Sequence, residues 1–358
     1  MKIFFDARWT RIDFHDGISR YGAGVIEGFK ENNIPITLII KDKRQLKMLP
    51  SDIPYILVND PLSFKELFLA KKLNKLGADV VFSPFQIIGT WGRKYKLVLT
   101  LHDTIFYLHP KAPTWITIPQ KVVWRLFHMV KWPQRFLLNS ADQVVTVSNY
   151  SKKNISDLKL TKREISVVYN APFIPKQTGK IEKTKNILYM GAFMPYKNAE
   201  VLISGMEFLP KDFTLHLLTK ILDERKAELA KLIKPGVNVV FHNGTTDDDY
   251  FKLLAGAYCL ATGSKEEGFG LPLVEAMTMG TPVVCSDITI FHEVAGQDAA
   301  LFFDFNSPKD FANQVKKLDD PKFRADLIER GHKQAEKFTW KKSAMDLYHV
   351  LQDLVSTE

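Results

Sequence analysis

Glu267 and Glu275 stand eight positions apart in the run Lys265-Glu266-Glu267-Gly268-Phe269-Gly270-Leu271-Pro272-Leu273-Val274-Glu275-Ala276-Met277. An ionised carboxylate only accepts hydrogen bonds, so two of them suit a ligand rich in hydroxyls, such as a ribose or a hexose. Gly268 and Gly270 let a backbone approach a ligand with no Cβ in the way. Pro272 suits the first position of a helix, where its missing N–H costs nothing. Such a helix start offers free N–H groups and the positive end of the dipole, both of which favour a diphosphate. The turn Gly268-Phe269-Gly270-Leu271 would then lie along the anion, with Glu267 on the loop and Glu275 in the first helical turn. Phosphate at the helix end and sugar hydroxyls on the acids describe a nucleotide sugar. The alternative is a surface acid followed by a helix-dipole acid in an ordinary βα unit.

At these residues the chain resembles the retaining GT-B glycosyltransferases, family 4 (group 1), whose signature is Glu, seven residues, Glu. Gly280-Thr281-Pro282-Val283-Val284-Cys285-Ser286-Asp287 and Phe291-His292-Glu293-Val294-Ala295-Gly296 match the continuation of that signature. The resemblance implies an α/β fold of two Rossmann-like domains facing a central cleft, with a C-terminal helix crossing back to the N-terminal domain. It implies retention of anomeric configuration and no metal or other cofactor, the nucleotide sugar being a substrate. Glu275 would hold the ribose and Glu267 the donor sugar. In Gly191-Ala192-Phe193-Met194-Pro195-Tyr196-Lys197-Asn198 the resemblance makes Lys197 a cation for the leaving diphosphate. Ala192 stands where the family often has Arg. The stretch Gly17-Ile18-Ser19-Arg20-Tyr21 resembles the glycine-rich loop of mannosyltransferase-like members, with Gly17 and Arg20 toward the phosphates. His102, after the strand pattern 96–101, would meet the donor sugar near its primary hydroxyl, with Asp103 steadying the loop or meeting the acceptor. These likenesses favour GDP-mannose as donor and leave UDP-glucose, UDP-N-acetylglucosamine and dTDP-rhamnose open. The acceptor would be a glycan, or a glycan on a lipid carrier, in surface polysaccharide assembly.

Two other constellations read more plainly. Gly22, Gly24 and Gly28, with Asp42 further on, mimic a dinucleotide fingerprint, but the third glycine is misplaced and all lie deep in a helical pattern. Asp247-Asp248-Asp249 follows a turn and precedes a helix, where acids cap, so a metal-binding pair is not expected.

Elements that can hold these groups alternate along the whole chain. Strand patterns fall at 3–5, 36–40, 80–82, 97–101, 144–147 and 165–169, with helical patterns at 17–30, 64–76 and 122–139 between them. Past a linker rich in proline and charge they resume at 186–190, 214–218, 237–241, 258–261, 283–285 and 300–303. That is the signature of parallel sheets covered by helices. The expected division is 1–170, a linker 171–185, a nucleotide-sugar domain 186–338 and a helix 339–358 returning to the first domain. The 358 residues, 46% hydrophobic, suit two cores. No apolar run approaches a membrane span, and with a strand pattern at the start no signal peptide is expected. Cys259 and Cys285 read as buried thiols in a reducing, cytoplasmic compartment.

Charge is uneven. Residues 1–170 carry 26 Lys/Arg against 14 Asp/Glu, a net +12, and the remainder is at −3. An anionic partner for the first half fits: a membrane surface at its inner face, a lipid phosphate or nucleic acid, against plain solubility charge. Residues 106–136 interleave Trp115, Trp124 and Trp132 with Lys121, Arg125, Lys131 and Arg135, which suits an interface as well as a core helix with a wet face. No nucleic-acid motif appears, so nucleic acid is not an expected partner. A catalytically silent sugar-binding scaffold is the remaining rival.

Overall fold

The computed structural model describes residues 1–110, 117–175 and 184–356. It divides into two compact units, Met1–Ala171 with Thr339–Glu358, and Pro172–Phe338. Most of the expected linker, and Trp115, lie outside the described residues.

Unit 1 is built on seven parallel strands: β1 (Ile3–Asp6), β2 (Ile36–Ile40), β3 (Tyr55–Leu57), β4 (Val80–Ser83), β5 (Lys96–Thr100), β6 (Gln143–Thr146) and β7 (Glu164–Val167). Their order is β3-β2-β1-β4-β5-β6-β7. Unit 2 has six: β8 (Asn186–Tyr189), β9 (Thr214–Leu217), β10 (Asn238–Phe241), β11 (Cys259–Thr262), β12 (Val283–Ser286) and β13 (Leu301–Phe303), in the order β10-β9-β8-β11-β12-β13. Central strands such as β1, β4 and β11 are buried at every residue, because helices cover both faces of a parallel sheet. In each sheet the strand order reverses once, between β1 and β4 and between β8 and β11. Loops leaving the C-terminal ends of strands at such a point form the ligand crevice of doubly wound folds.

Two expectations are corrected, and one strand was not foreseen. The helical pattern 122–139 is two helices, Ile118–Met129 and Trp132–Asn139, the second carrying Pro133 in its first turn. A proline there has no N–H to give to a preceding turn, so the helix cannot run through. The pattern 64–76 is a 3-10 segment, Phe64–Phe68, followed by an α-helix, Leu69–Lys75. β3 had no counterpart in the sequence reading.

The glycines that mimic a dinucleotide fingerprint serve helix packing. Helix Gly17–Glu31 lies against the C-terminal helix Trp340–Ser356. A Cβ on Gly24 would come within 2.1 Å of the Trp340 ring, and one on Gly28 within 2.1 Å of the Trp340 carbonyl oxygen. Asn32 donates to the Lys341 carbonyl at 2.8 Å and Ser343 to that of Tyr169 at 2.7 Å, fixing the register of the last helix on unit 1. Cys259 and Cys285 are free and buried. Burial pushes the Cys259 thiol up to about 12 and holds the Cys285 thiol well above its ordinary value, which keeps both protonated and unreactive.

Candidate active site

The loop after β8 and the loop after β11 meet at the reversal point of the second sheet. Lys265 N donates to the Tyr196 carbonyl at 2.7 Å, tying the loops together through their backbones. Asn198 makes the second tie. It adopts the left-handed conformation, φ 49°, which asparagine tolerates better than most residues. Its side-chain amide donates to the carbonyls of Gly263 at 3.0 Å and Phe305 at 2.9 Å.

These ties bring Lys197 and Glu267 together. Lys197 Nζ lies 2.6 Å from Glu267 Oε1, with the side chains 17% and 13% exposed. The same oxygen accepts from the Ser264 hydroxyl at 2.8 Å. Ser264 is held in turn by Thr262 at 3.1 Å and by the Ser286 hydroxyl on its carbonyl. Both donors converge on Oε1, which leaves Oε2 without a protein partner among the described residues. A second cation reaching this loop is Arg225, on helix Asp223–Ala230. It donates through Nε to the Phe193 carbonyl at 3.1 Å and pairs with Glu200 and Glu228. Ala192 contributes only its carbonyl, which accepts from Tyr189.

The helix that follows Glu267 is Leu271–Thr278, with Gly270 as its N-cap at φ 97°. A Cβ at Gly270 would stand 2.9 Å from the Phe291 ring, so backbone conformation and core packing both demand glycine there. Pro272 is the second helical residue, one place later than expected, and Glu275 is the fifth, beyond the first turn. Pro still fits, because N–H groups throughout the first turn lack intrahelical partners. Glu275 is buried, and its Oε2 accepts from the Tyr250 hydroxyl at 2.8 Å. Phe269 packs edge-on against Phe338, centroids 5.4 Å apart, so it has only main chain to offer a ligand. Gly268 is buried and Leu271 half-buried.

Tyr250 sits on helix Asp247–Gly256, whose first turn holds the three aspartates. The cap is Thr246, whose hydroxyl accepts from Asp249 N at 3.1 Å. The acids therefore favour the dipole from inside the helix. Among the described residues no group of three or more His, Cys, Asp or Glu could hold a metal ion, and no helix is long and apolar enough to cross a membrane.

The other candidates belong to unit 1. Gly17 is the first residue of its helix and exposed, with no heavy atom within 4 Å of an added Cβ. Asp16 caps that helix by accepting from Ser19 N at 2.9 Å, and Arg11 pairs with Asp16 at 2.6 Å. Arg20 is half-buried. His102 lies two residues past β5, its Nε2 2.8 Å from the Pro84 carbonyl oxygen and its ring edge-on to Tyr21. A carbonyl only accepts, so Nε2 carries the proton. Burial pushes the imidazole below its ordinary value, which leaves it neutral with Nδ1 as an acceptor. Asp103 Oδ1 accepts from Ile105 N at 3.0 Å, shaping the turn into the next helix.

Known proteins resemble the chain along most of its length. Residues 17–171 match the family model for Glycosyltransferase Family 4, and residues 170–334 that for Glycosyl transferases group 1. The chain belongs to this glycosyltransferase family. Among curated relatives, the O-antigen chain mannosyltransferase RfbU of Salmonella typhimurium is 28% identical over 246 residues, covering 65% of the chain and 67% of the relative. The O-antigen chain mannosyltransferase B of Escherichia coli is 30% identical over 226 residues, covering 57% and 58%. Among solved structures, a sucrose-phosphate synthase from Thermosynechococcus elongatus superposes with a TM-score of 0.73 at 17% identity, covering 100% of both chains. Anabaena HepE, solved with UDP and glucose, gives 0.69 at 18%, covering 99% of the chain and 100% of HepE. The glycosyltransferase thus has the GT-B fold of two parallel-sheet Rossmann-like units.

Sequence reasoning missed Tyr250, Ser264 and Asn198. Only Asn198 carried a local signal, as the residue after Lys197 at a helix start. The other two act through hydroxyls whose partners are set by the fold.

Proposed function

We propose that this glycosyltransferase moves mannose from GDP-mannose, with retention of configuration, onto a glycan or lipid-linked glycan of a surface polysaccharide. The observation that carries the reading is the Lys197–Glu267 pair at the reversal point of the second sheet, with buried Glu275 eight residues further on. Mannose is favoured because the matched stretches of both O-antigen relatives belong to mannosyltransferases.

In this mechanism the ribose hydroxyls donate to Glu275, which Tyr250 holds in place. The diphosphate lies at the start of helix Leu271–Thr278, along the main chain of Gly268, Phe269, Gly270 and Leu271, with Gly17 and Arg20 as further contacts. Glu267 Oε2 accepts from the donor sugar, and His102 Nδ1 from its primary hydroxyl. Asp103 holds the loop that presents His102. As the bond from C1 to the phosphate oxygen breaks, Lys197 turns from Glu267 to the departing nucleoside diphosphate. The acceptor oxygen bonds to C1 on the same face, and its proton passes to the phosphate oxygen that leaves. No residue near Glu267 is needed as a covalent nucleophile, and no metal enters the step. The reaction would occur at the cytoplasmic face of a membrane, where lipid-linked acceptors lie.

A thermal-shift screen of GDP, UDP and dTDP, followed by transfer assays with and without EDTA, tests this. GDP should raise the melting temperature most, since a ligand of the native state stabilises it. A larger shift with UDP would move the donor to a UDP-sugar. Loss of transfer in EDTA would overturn the metal-free step.

A further inference from the structure

The segment 61–78 carries four lysines, Lys65, Lys71, Lys72 and Lys75, and a single acid, Glu66. That acid does not offset them at the surface. Glu66 takes both arms of Arg8, at 2.6 and 3.0 Å, and accepts from Gly89 N at 2.7 Å. Arg8 also grips Asp6, and both side chains are fully buried. Burial opposes the charge on Arg8, but Asp6 and Glu66 outweigh it and hold the guanidinium above its ordinary value.

The tether on Glu66 decides which way the 3-10 segment Phe64–Phe68 faces. Side chains three apart eclipse in a 3-10 turn. Ser63, Glu66 and Leu69 therefore turn inward, and Leu69 is buried. The residues between them turn out: Phe64 is 80% exposed and Phe68 51%, next to Leu62 at 78%. The surface continues into neighbouring elements. The Phe68 ring stands edge-on to Trp91, centroids 6.1 Å apart, and Lys71 Nζ lies 4.0 Å over the Trp91 ring. Lys72 Nζ donates to the carbonyl of Leu57, itself exposed, at 2.9 Å. The result is an apolar surface set among cations, with Glu66 withdrawn and Asp60, at its edge beside Leu62, paired with Lys41. Soluble chains rarely expose contiguous apolar area of more than a few hundred Å² without a partner for it.

We infer that this surface docks on an anionic phospholipid bilayer. Leu62, Phe64, Phe68 and Trp91 enter the headgroup layer, and Lys65, Lys71, Lys72 and Lys75 lie over lipid phosphates. The inference rests on the reading of a lipid-linked acceptor and names the surface that brings the enzyme to it. A second copy fits worse, because two-fold pairing of this patch would set lysines against lysines. The patch is also distinct in sequence from the stripe 106–136, where Leu126, Trp132 and Phe136 are exposed.

Cosedimentation of the full chain with phosphatidylglycerol or phosphatidylcholine vesicles, at low and high salt, tests it. Binding should occur on phosphatidylglycerol only and weaken with salt. The double variant Phe64→Ser/Phe68→Ser should bind at least tenfold less. Lys71→Glu/Lys72→Glu should lose binding at low salt. Both should keep the thermal shift with GDP, which shows an intact fold and donor site. Wild-type binding by the Phe64→Ser/Phe68→Ser variant overturns the inference, as does loss of binding only in Trp132→Ser/Phe136→Ser. So does absence of binding to phosphatidylglycerol. Self-association that the Phe64 and Phe68 substitutions abolish would make the patch a contact between copies and overturn it as well. Failure of every nucleotide to shift the melting temperature would instead strike the donor reading and leave the vesicle result standing.

Discussion

The contact between Lys197 and Glu267 should weaken when donor binds, because the same ammonium is needed by the diphosphate. The perturbation is Lys197→Ala, Glu267→Ala and the double variant, each unfolded in urea with and without saturating GDP. The two atoms are 2.6 Å apart and the side chains less than a fifth exposed. Exposed pairs contribute about 0–1 kcal/mol, while breaking a buried pair costs about 3–5 kcal/mol. A pair that water can still reach falls between, so the coupling in free protein should be about 2 kcal/mol. For a unit of this size that is a melting shift of about 4–8 °C per single variant. With GDP bound the coupling should fall below about 1 kcal/mol, since Lys197 then has a second anion to serve. In turnover, Lys197→Ala should lower kcat by about 10²–10³, as for other donors aimed at developing charge. Donor affinity should change much less. A coupling energy that GDP leaves unchanged, or a loss confined to KM, would refute the exchange of Lys197 between acid and phosphate.

Other outcomes follow from the same geometry. Glu275→Ala and Tyr250→Phe should each weaken GDP and donor together, by about 1.5–3 kcal/mol or roughly 10- to 150-fold for the acid and less for the tyrosine; unchanged nucleotide affinity in calorimetry removes the ribose role. Gly17→Ala meets open space, so stability should hold within about 0.5 kcal/mol while transfer falls; full activity would take Gly17 away from the diphosphate. Gly24→Ala drives a methyl into the Trp340 ring and should cost about 1–3 kcal/mol in denaturant unfolding, with no such loss overturning the packing assignment. The folded value of His102 lies below its ordinary 6.5, so its contribution to stability is present above pH 6.5 and lost as pH falls through the lower folded value. Urea midpoints of wild type and His102→Asn should therefore converge as pH falls below 6.5; a gap that widens on acidification would contradict the burial of a neutral ring.

Strands were legible wherever a run is buried on both faces, since burial writes a continuous apolar word into the sequence. β3 lacks that mark: it is three residues long, at the sheet edge, with Tyr55 and Leu57 exposed. The apolar rhythm of 122–139 continued across Val130 and Lys131, and only Pro133 signalled the break. At the site, Glu267, the glycine turn and Glu275 were legible because one loop and one helix carry them. The pairing of Lys197 with Glu267 was not, because it joins residues 70 positions apart on two loops. Tyr250 reaches Glu275 from another helix for the same reason. The basic first half suggested an anionic partner or plain solubility charge, and the sequence pointed to the tryptophan stripe as its place. The inward turn of Glu66, which takes an acid away from the other surface, depends on a 3-10 phase that composition does not encode.

The notch at Gly24 and Gly28 has a consequence for how the chain is made. Unit 1 is discontinuous: residues up to Ala171 leave the ribosome long before the helix that fills the notch. At about 5–20 residues per second, roughly 10–30 s separate Ala171 from Trp340. Through that interval the first sheet exists with one flank of helix Gly17–Glu31 uncovered, while Pro172–Phe338 can close as an uninterrupted segment. The unit with the older N-terminus is thus the younger fold, and chaperones would meet it as an apolar groove between two glycines awaiting a tryptophan.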